Sequence, residues 1–144
     1  MKALLCTEHG PPEKLVVDEV ADPRPGKNQV VLDVKAAAVN FPDTLIIQNL
    51  YQFKPELPFS AGGECAGVVR SVGEGVKHLN VGDKVIAFTG WGAFAEQVCC
   101  DAMSVIPMPE GLDFVTASAF VMTYATSYHA LVDRAAIKEG ETLL

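Results

Sequence analysis

The chain has 144 residues, of which 49 % are hydrophobic and 20 % are charged, and its net charge is −7. This balance is that of one globular domain and excludes an extended disordered chain. The acidic charge, without any cluster of lysines or arginines, argues against nucleic acid or an anionic membrane as a partner. No apolar run approaches the roughly 20 residues of a membrane span, and the opening run is too short for a secretory signal.

Short apolar runs bounded by glycine and proline predict strands through most of the chain. In chain order, these runs are residues 1–6, 15–20, 29–39, 64–72, 84–88, 93–100 and 104–106. In the longest of them, alternation places Val30, Leu32 and Val34 on one face. The sequence therefore predicts a mainly β fold, a compact barrel or sandwich, with helices appended at its end.

Two stretches predict helices. Pro42 suits the first turn of a short helix that runs through Gln48, and residues 49–58 then read as a loop. The second stretch, residues 113–135, lacks proline and glycine and repeats apolar residues at helical spacing, with Asp113 as its cap. A turn follows, and then the apolar residues 142–144. We expect the chain to be the first part of a larger protein, divided at a domain boundary.

The four cysteines, Cys6, Cys65, Cys99 and Cys100, show no C-x-x-C spacing. That spacing would be needed for a zinc ribbon or for a thioredoxin-type redox motif. We therefore expect free, reduced thiols in a cytoplasmic protein.

Five motifs in a fixed order make the sequence recognisable. They are AVNFPDT at residues 38–44, GGECAGVV at 62–69, VGEGV at 72–76, VGDKV at 81–85 and GAFAE at 92–96. Together they resemble the N-terminal, chaperonin-10 (GroES)-like domain of the medium-chain dehydrogenase/reductase superfamily. The closest resemblance is to its zinc-independent quinone oxidoreductase branch, the relatives of zeta-crystallin, and it covers essentially the whole chain.

The resemblance implies a partly open GroES-like β-barrel and a division of the chain into two parts. Residues 1–112 would form the GroES-like substrate domain. Residues 113–144 would form a helical segment that leads to a Rossmann domain, which this chain does not include.

The resemblance also implies that zinc is absent. Where zinc-dependent relatives place their three catalytic ligands, this sequence has Asn40, Gly63 and Met122. An amide, a glycine and a thioether do not form a catalytic zinc site, which needs thiolate, imidazole or carboxylate ligands. The four closely spaced cysteines of the structural zinc lobe are missing as well.

By resemblance, the whole enzyme would transfer hydride from NADPH to a quinone or an enone, as a cytoplasmic homodimer with no nucleic-acid or membrane partner. Asn40 and Tyr51 would donate hydrogen bonds to the acceptor oxygen, in place of a metal. The residues near the nicotinamide would be Asn40, Asp43, Met122 and Thr126. The wall of the substrate pocket would include Gly63, Glu64 and Trp91.

Alternatives remain at the level of the sequence. Asn40 and Asp43 would also suit the start of a helix, and Glu64 would suit a structural salt bridge. Tyr51 and Met122 would equally serve packing, and Trp91 would lie either in the core or at the barrel mouth. For function, the alternatives are an enoyl-thioester reductase of the same superfamily and a stand-alone chaperonin-10-like binding module.

Overall fold

The computed structural model describes every residue from Met1 to Leu144. Its eight strands are β1 (Lys2–Cys6), β2 (Val16–Glu19), β3 (Gln29–Ala38), β4 (Phe59–Ser60), β5 (Glu64–Val72), β6 (Lys84–Phe88), β7 (Gln97–Asp101) and β8 (Val105–Pro107). Its α-helices are α1 (Phe41–Ile46), α2 (Phe114–Ser118) and α3 (Thr126–Tyr128). Short 3₁₀ turns lie at Pro12–Lys14 and Ala102–Ser104. π-helical turns at Val121–Ala125 and His129–Arg134 flank α3, and residues 121–134 are called the helical segment below.

The strands form two antiparallel sheets. The smaller sheet has the order β2-β1-β4, and the larger has the order β7-β3-β5-β6-β8. Residues 93–96 connect the two sheets: Ala95 bridges to Ala3, and Phe94 O accepts a hydrogen bond of 2.8 Å from Leu4 N. The sheets do not close, so the prediction of a mainly β, partly open barrel is confirmed.

Strand β3 lies between β7 and β5 and leads to the candidate site. Near its start, Val30, Val31 and Leu32 are all fully buried. Farther along, Val34 pairs with Gly67 while Ala36 pairs with Ala66, which leaves Lys35 as a bulged residue. A bulge shifts the alternation of faces by one residue. After the bulge, up to the end of the strand next to Asn40, alternate side chains therefore point to the opposite face of the sheet from the one that the earlier alternation would give.

Most predicted strands are confirmed, and two differences have clear causes. Strand β7 begins at Gln97 and not at residue 93, because residues 93–96 bond to other parts of the chain before the ladder begins. Ala93 N, for example, donates to Gly62 O at 3.1 Å. Strand β4 was not predicted, since it has only two residues and depends on pairing with β1.

The helical spacing predicted over residues 113–135 corresponds to several short helical pieces. Helix α2 ends at Ser118, and a break at residues 119–120 separates it from the helical segment. The predicted cap is confirmed, because Asp113 Oδ1 accepts a hydrogen bond of 2.8 Å from Thr116 N. Ala117 of α2 packs on Ala66 and Ile86 of the larger sheet. The helical segment, in contrast, is mostly exposed. None of these helices is long and apolar enough to span a membrane.

Candidate functional site

Asn40 and Asp43 meet at the end of β3, where α1 begins. Asn40 N donates a hydrogen bond of 2.7 Å to Asp43 Oδ2, and Asp43 N donates one of 3.0 Å to Asn40 O. The side chain of Asp43, three residues into the turn, thus binds the backbone of Asn40. The side-chain oxygen of Asn40 completes the capping box with the backbone of Asp43, and its Nδ2 group is free for another partner.

That partner is Glu64, the first residue of β5. Its side chain is fully buried. Glu64 Oε1 accepts a hydrogen bond of 3.0 Å from Asn40 Nδ2, and Glu64 Oε2 accepts one of 3.0 Å from Met122 N. No salt bridge of the structure includes Glu64. The alternative of a structural salt bridge is therefore wrong, and two N–H donors satisfy this buried carboxylate instead.

Asp43 is the second buried carboxyl group of the site. Burial raises its pKa above the ordinary value, and the negative charge of Glu64 adds to that effect. The backbone N–H groups of Asn40, Gly63 and Gly62 oppose the shift without cancelling it. The site therefore places two carboxyl groups beside one amide, with no positively charged side chain bound to either.

The absence of a side chain at Gly63 leaves space between its neighbours. A Cβ atom built there would lie 3.3 Å from Met122 Sδ and 3.6 Å from Asp43 Oδ1. The backbone is fixed, because Thr89 N and Gly90 N donate to Gly63 O at 2.8 and 3.1 Å. Even an alanine would narrow the gap between the carboxyl group and the thioether.

The space around Gly63 is a cavity of about 10 Å³. Asp43, Tyr51, Phe53 and Met122 contribute to its wall. Such a volume admits about one water molecule, whereas pockets that enclose small-molecule ligands measure roughly 300–1,000 Å³. In this chain the space is therefore too small to enclose a small-molecule ligand.

Three aromatic side chains extend from this wall. The rings of Tyr51 and Phe53 meet edge to face with centroids 5.6 Å apart, and Phe53 lies 6.4 Å from Trp91. Trp91 is 42 % exposed, so it is a rim residue and not a core residue. It borders a separate cavity of about 280 Å³, which it shares with Phe59 and Gln97.

The structure thus brings together most of the residues named from the sequence. Asn40, Asp43, Gly63, Glu64 and Met122 contact one another, directly or through one shared partner. Tyr51 lines the same cavity, while Trp91 reaches it only through Phe53.

Thr126 stands apart from this group. It is exposed on the helical segment and bonds to nothing in the barrel, so its role near the nicotinamide stays a prediction. Sequence reasoning missed Phe53, for which its spacing of two residues from Tyr51 in an aromatic loop was the available signal.

Residues of the types that bind metal ions are scattered through the structure. No three His, Cys, Asp or Glu side chains lie close enough together to hold a metal ion. All four cysteines are free thiols, and burial raises the pKa of both Cys65 and Cys100 to about 12.

Several known proteins resemble this chain in sequence. Residues 26–110 match the model of the alcohol dehydrogenase GroES-like domain. The chain is 40 % identical to quinone oxidoreductase-like protein 2 of Mus musculus, over 99 % of the chain and 40 % of that protein.

Two solved structures extend the likeness to the fold. The human synaptic vesicle membrane protein VAT-1 homolog-like protein matches with a TM-score of 0.93 and 34 % identity, over 97 % of this chain and 45 % of that one. The quinone oxidoreductase of Escherichia coli, solved with NADPH, matches with a TM-score of 0.84 and 31 % identity, over 94 % of this chain and 41 % of that one.

The chain spans between a third and a half of the length of these relatives. Within that part, the family model covers more than half of the chain, and the matched residues include Asn40 and Glu64. The chain therefore belongs to the alcohol dehydrogenase GroES-like domain family and corresponds to the N-terminal part of quinone oxidoreductases in the zinc-independent branch of the medium-chain dehydrogenase/reductase superfamily.

Proposed function

We propose that this chain is the substrate-side domain of an NADPH-dependent oxidoreductase that reduces quinones or enones by hydride transfer. The observation that carries the proposal is the cleft wall formed by Asn40, Asp43, Tyr51, Gly63 and Met122. This wall combines hydrogen-bonding groups, aromatic rings and a missing side chain, which suits a flat ring with an oxygen substituent. The relatives named quinone oxidoreductases supply the reaction class.

The residues of the wall fit a nicotinamide ring on one side of the cleft. Gly63 leaves room for a flat group, and the Asn40 amide oxygen has a second lone pair beyond the one directed at the Asp43 backbone. Asn40, Asp43 and Met122 would hold the ring there, with Thr126 farther along the helical segment. When bound, NADPH supplies the hydride.

The acceptor would need hydrogen-bond donors at its oxygen, where negative charge grows during reduction. The hydroxyl of Tyr51 and the second Nδ2–H of Asn40 are the donors of this wall. No metal is proposed, because the amide, glycine and thioether at positions 40, 63 and 122 lack the donor atoms that zinc prefers. We also propose a cytoplasmic homodimer for the whole protein, on the strength of the family resemblance alone.

A chimera tests this proposal. Residues 1–144 would be joined to the remaining part of the Escherichia coli quinone oxidoreductase, and NADPH oxidation would be followed at 340 nm with 1,4-benzoquinone. We expect turnover by the chimera and none by the 144-residue chain alone, because the cavity of this chain does not enclose a ligand. Turnover by the chain alone would refute the division of roles.

Two further measurements separate the alternatives. A chimera that reduces a long-chain enoyl thioester but no quinone would favour the enoyl-thioester reductase.

Binding of a quinone by the chain alone would be followed by NMR shifts of Tyr51 and Gly63. Duroquinone is the suitable probe, because its four methyl groups block addition of the half-buried Cys99 thiol. A folded chimera that is inactive with every acceptor would favour the binding module.

A further inference from the structure

We propose that Glu64 is a positioning residue, which holds the Asn40 amide in one orientation and links that orientation to the start of the helical segment. The inference rests on the proposed function only for the ligand that the amide would meet. Its physical basis lies within this chain, in a buried carboxylate with two different N–H donors.

The first step concerns the partners of Glu64. The side chain is fully buried and forms no salt bridge, so its two oxygens depend on N–H donors of the protein for hydrogen bonds. One donor is a side chain that can rotate, Asn40 Nδ2, and the other is a backbone group that cannot, Met122 N. Met122 N thereby fixes one carboxylate oxygen, and the other oxygen remains for Asn40.

The second step concerns the two ends of the Asn40 amide. Both oxygens of Glu64 accept hydrogen bonds, so Asn40 turns its NH₂ group toward Glu64. Its Oδ1 then points away from Glu64 and toward the backbone N of Asp43, with which it completes the capping box of α1. An amide oxygen has two lone pairs, so one acceptor position of Oδ1 remains for a further donor.

The third step is what this orientation selects. Asp43 bonds both the N–H and the C=O of Asn40, so the backbone of Asn40 is fixed. The side-chain amide, in contrast, has two possible orientations, which differ by exchange of its oxygen and its NH₂ group. With NH₂ toward Glu64, the open end is an acceptor, which suits an N–H donor such as the carboxamide of a nicotinamide. With the amide reversed, the open end would be the NH₂ group, which repels such a donor.

The fourth step is the link to the helical segment. Met122 N is the one group of residues 119–144 that forms a hydrogen bond to residues 1–112. The same carboxylate therefore holds both the segment and the amide. A ligand that favours the acceptor end of Asn40 would also favour the docked position of the segment, and the reverse follows by linkage.

The variant Glu64→Gln tests the inference, with Glu110→Gln, an exposed residue without a recorded hydrogen bond, as the matched control. A glutamine offers one oxygen and one NH₂ group in place of two oxygens. Because Met122 N can only donate, it should keep the oxygen, and the Asn40 amide should reverse to accept from the new NH₂ group. In ¹⁵N NMR spectra, the Asn40 NH₂ resonances should move to the values of a solvent-exposed amide, while the Met122 amide proton stays protected.

A removal and a compensating pair complete the test. Glu64→Ala should lose the protection of the Met122 amide proton by about ten- to a hundredfold, the range for a lost hydrogen bond to a charged group. Asn40→Asp alone sets two carboxylates against each other, whereas Asn40→Asp with Glu64→Gln restores one donor and one acceptor. Asn40→Asp alone should raise the unfolding equilibrium constant, and we expect the pair to lower it again by at least about tenfold.

The unaltered chain gives a measurement that needs no variant. One Nδ2 proton of Asn40 should exchange with solvent more slowly than the other, because only one is bonded to the buried carboxylate. Equal exchange rates for the two protons, or an Asn40 amide that does not respond to Glu64→Gln in a folded variant, would overturn the inference. These readouts involve no cofactor. An inactive chimera with the expected amide response would therefore refute the proposed function and leave the positioning role intact.

Discussion

Met122 Sδ lies 3.3 Å from the point where a Cβ atom of Gly63 would stand, and Phe94 Cδ1 lies 2.6 Å from the corresponding point of the preceding residue, Gly62. At the two adjacent glycines, an added side chain would thus meet different neighbours. Beside Gly63 is the flexible end of a methionine, whereas beside Gly62 are a ring and the backbone N of Phe94 at 2.8 Å. Gly62 also has a φ of 95°, which side chains rarely adopt.

Replacement of each glycine by alanine should therefore give unequal costs. We expect Gly62→Ala to lower the free energy of unfolding by about 2–4 kcal/mol, through backbone strain and the clash with Phe94. Gly63→Ala should cost under about 1 kcal/mol, because Met122 can move aside. Urea denaturation of both variants measures the difference, and equal costs would contradict this account.

The buried thiols predict an alkaline loss of stability. Burial raises the pKa of Cys65 and Cys100 to about 12, against roughly 8.5 in an unfolded chain. A raised pKa means that the folded state keeps protons that the unfolded state has released. The contribution of these thiols to the free energy of unfolding is therefore complete below pH 8.5 and is lost as the pH rises toward 12. For the two thiols together, the free energy of unfolding should fall by up to about 2.7 kcal/mol per pH unit.

Urea denaturation between pH 8 and 10 in a reducing buffer measures that slope. The double variant Cys65→Ala/Cys100→Ala should unfold more easily at every pH but show a much smaller slope. An unchanged slope would assign the pH dependence to other groups, such as the tyrosines and lysines.

The hydroxyl of Tyr51 is a proposed donor to the substrate. In the chimera, Tyr51→Phe removes the hydroxyl but keeps the ring that meets Phe53 edge to face. We expect kcat with an enone to fall about 10- to 100-fold, less than the roughly 10²–10³ of a dedicated oxyanion donor, because Asn40 offers a second N–H. Phe53→Leu is the control for packing, and it should raise KM with little change in kcat.

Zinc content provides a further check. Elemental analysis of the purified chain after dialysis should find less than about 0.1 zinc per chain, since an amide, a glycine and a thioether bind zinc poorly. Stoichiometric zinc that Asn40→Ala removes would refute the proposed metal-free site.

Much of the fold was predictable because its signals are local. The turn residues around β5 and β6 fixed both strands to the residue, and Asp113 marked the start of α2. Strand β4 and the late start of β7 were not predictable, since both depend on pairing with β1 across the chain. The break after Ser118 has no proline or glycine to mark it.

In the candidate site, likewise, the residues could be predicted from local motifs and the contacts between them could not. Asn40, Asp43 and Glu64 were found through motifs, but their connections were not. That Glu64 binds an amide and a backbone N–H, with no cation, follows from where β3, β5 and the helical segment meet. Spacing along the sequence carries no information on such a meeting point.

The exposed helical segment, held by a single N–H at its start, has a consequence for handling the protein. A segment with few buried contacts opens locally far more often than the sheets do. Trypsin should therefore cut first at Arg134 or Lys138 and leave a product that ends at one of these residues, which mass spectrometry would identify. Brief digestion would then remove the last residues of the chain and leave a shorter domain in which Met122, and with it both donors of Glu64, is retained.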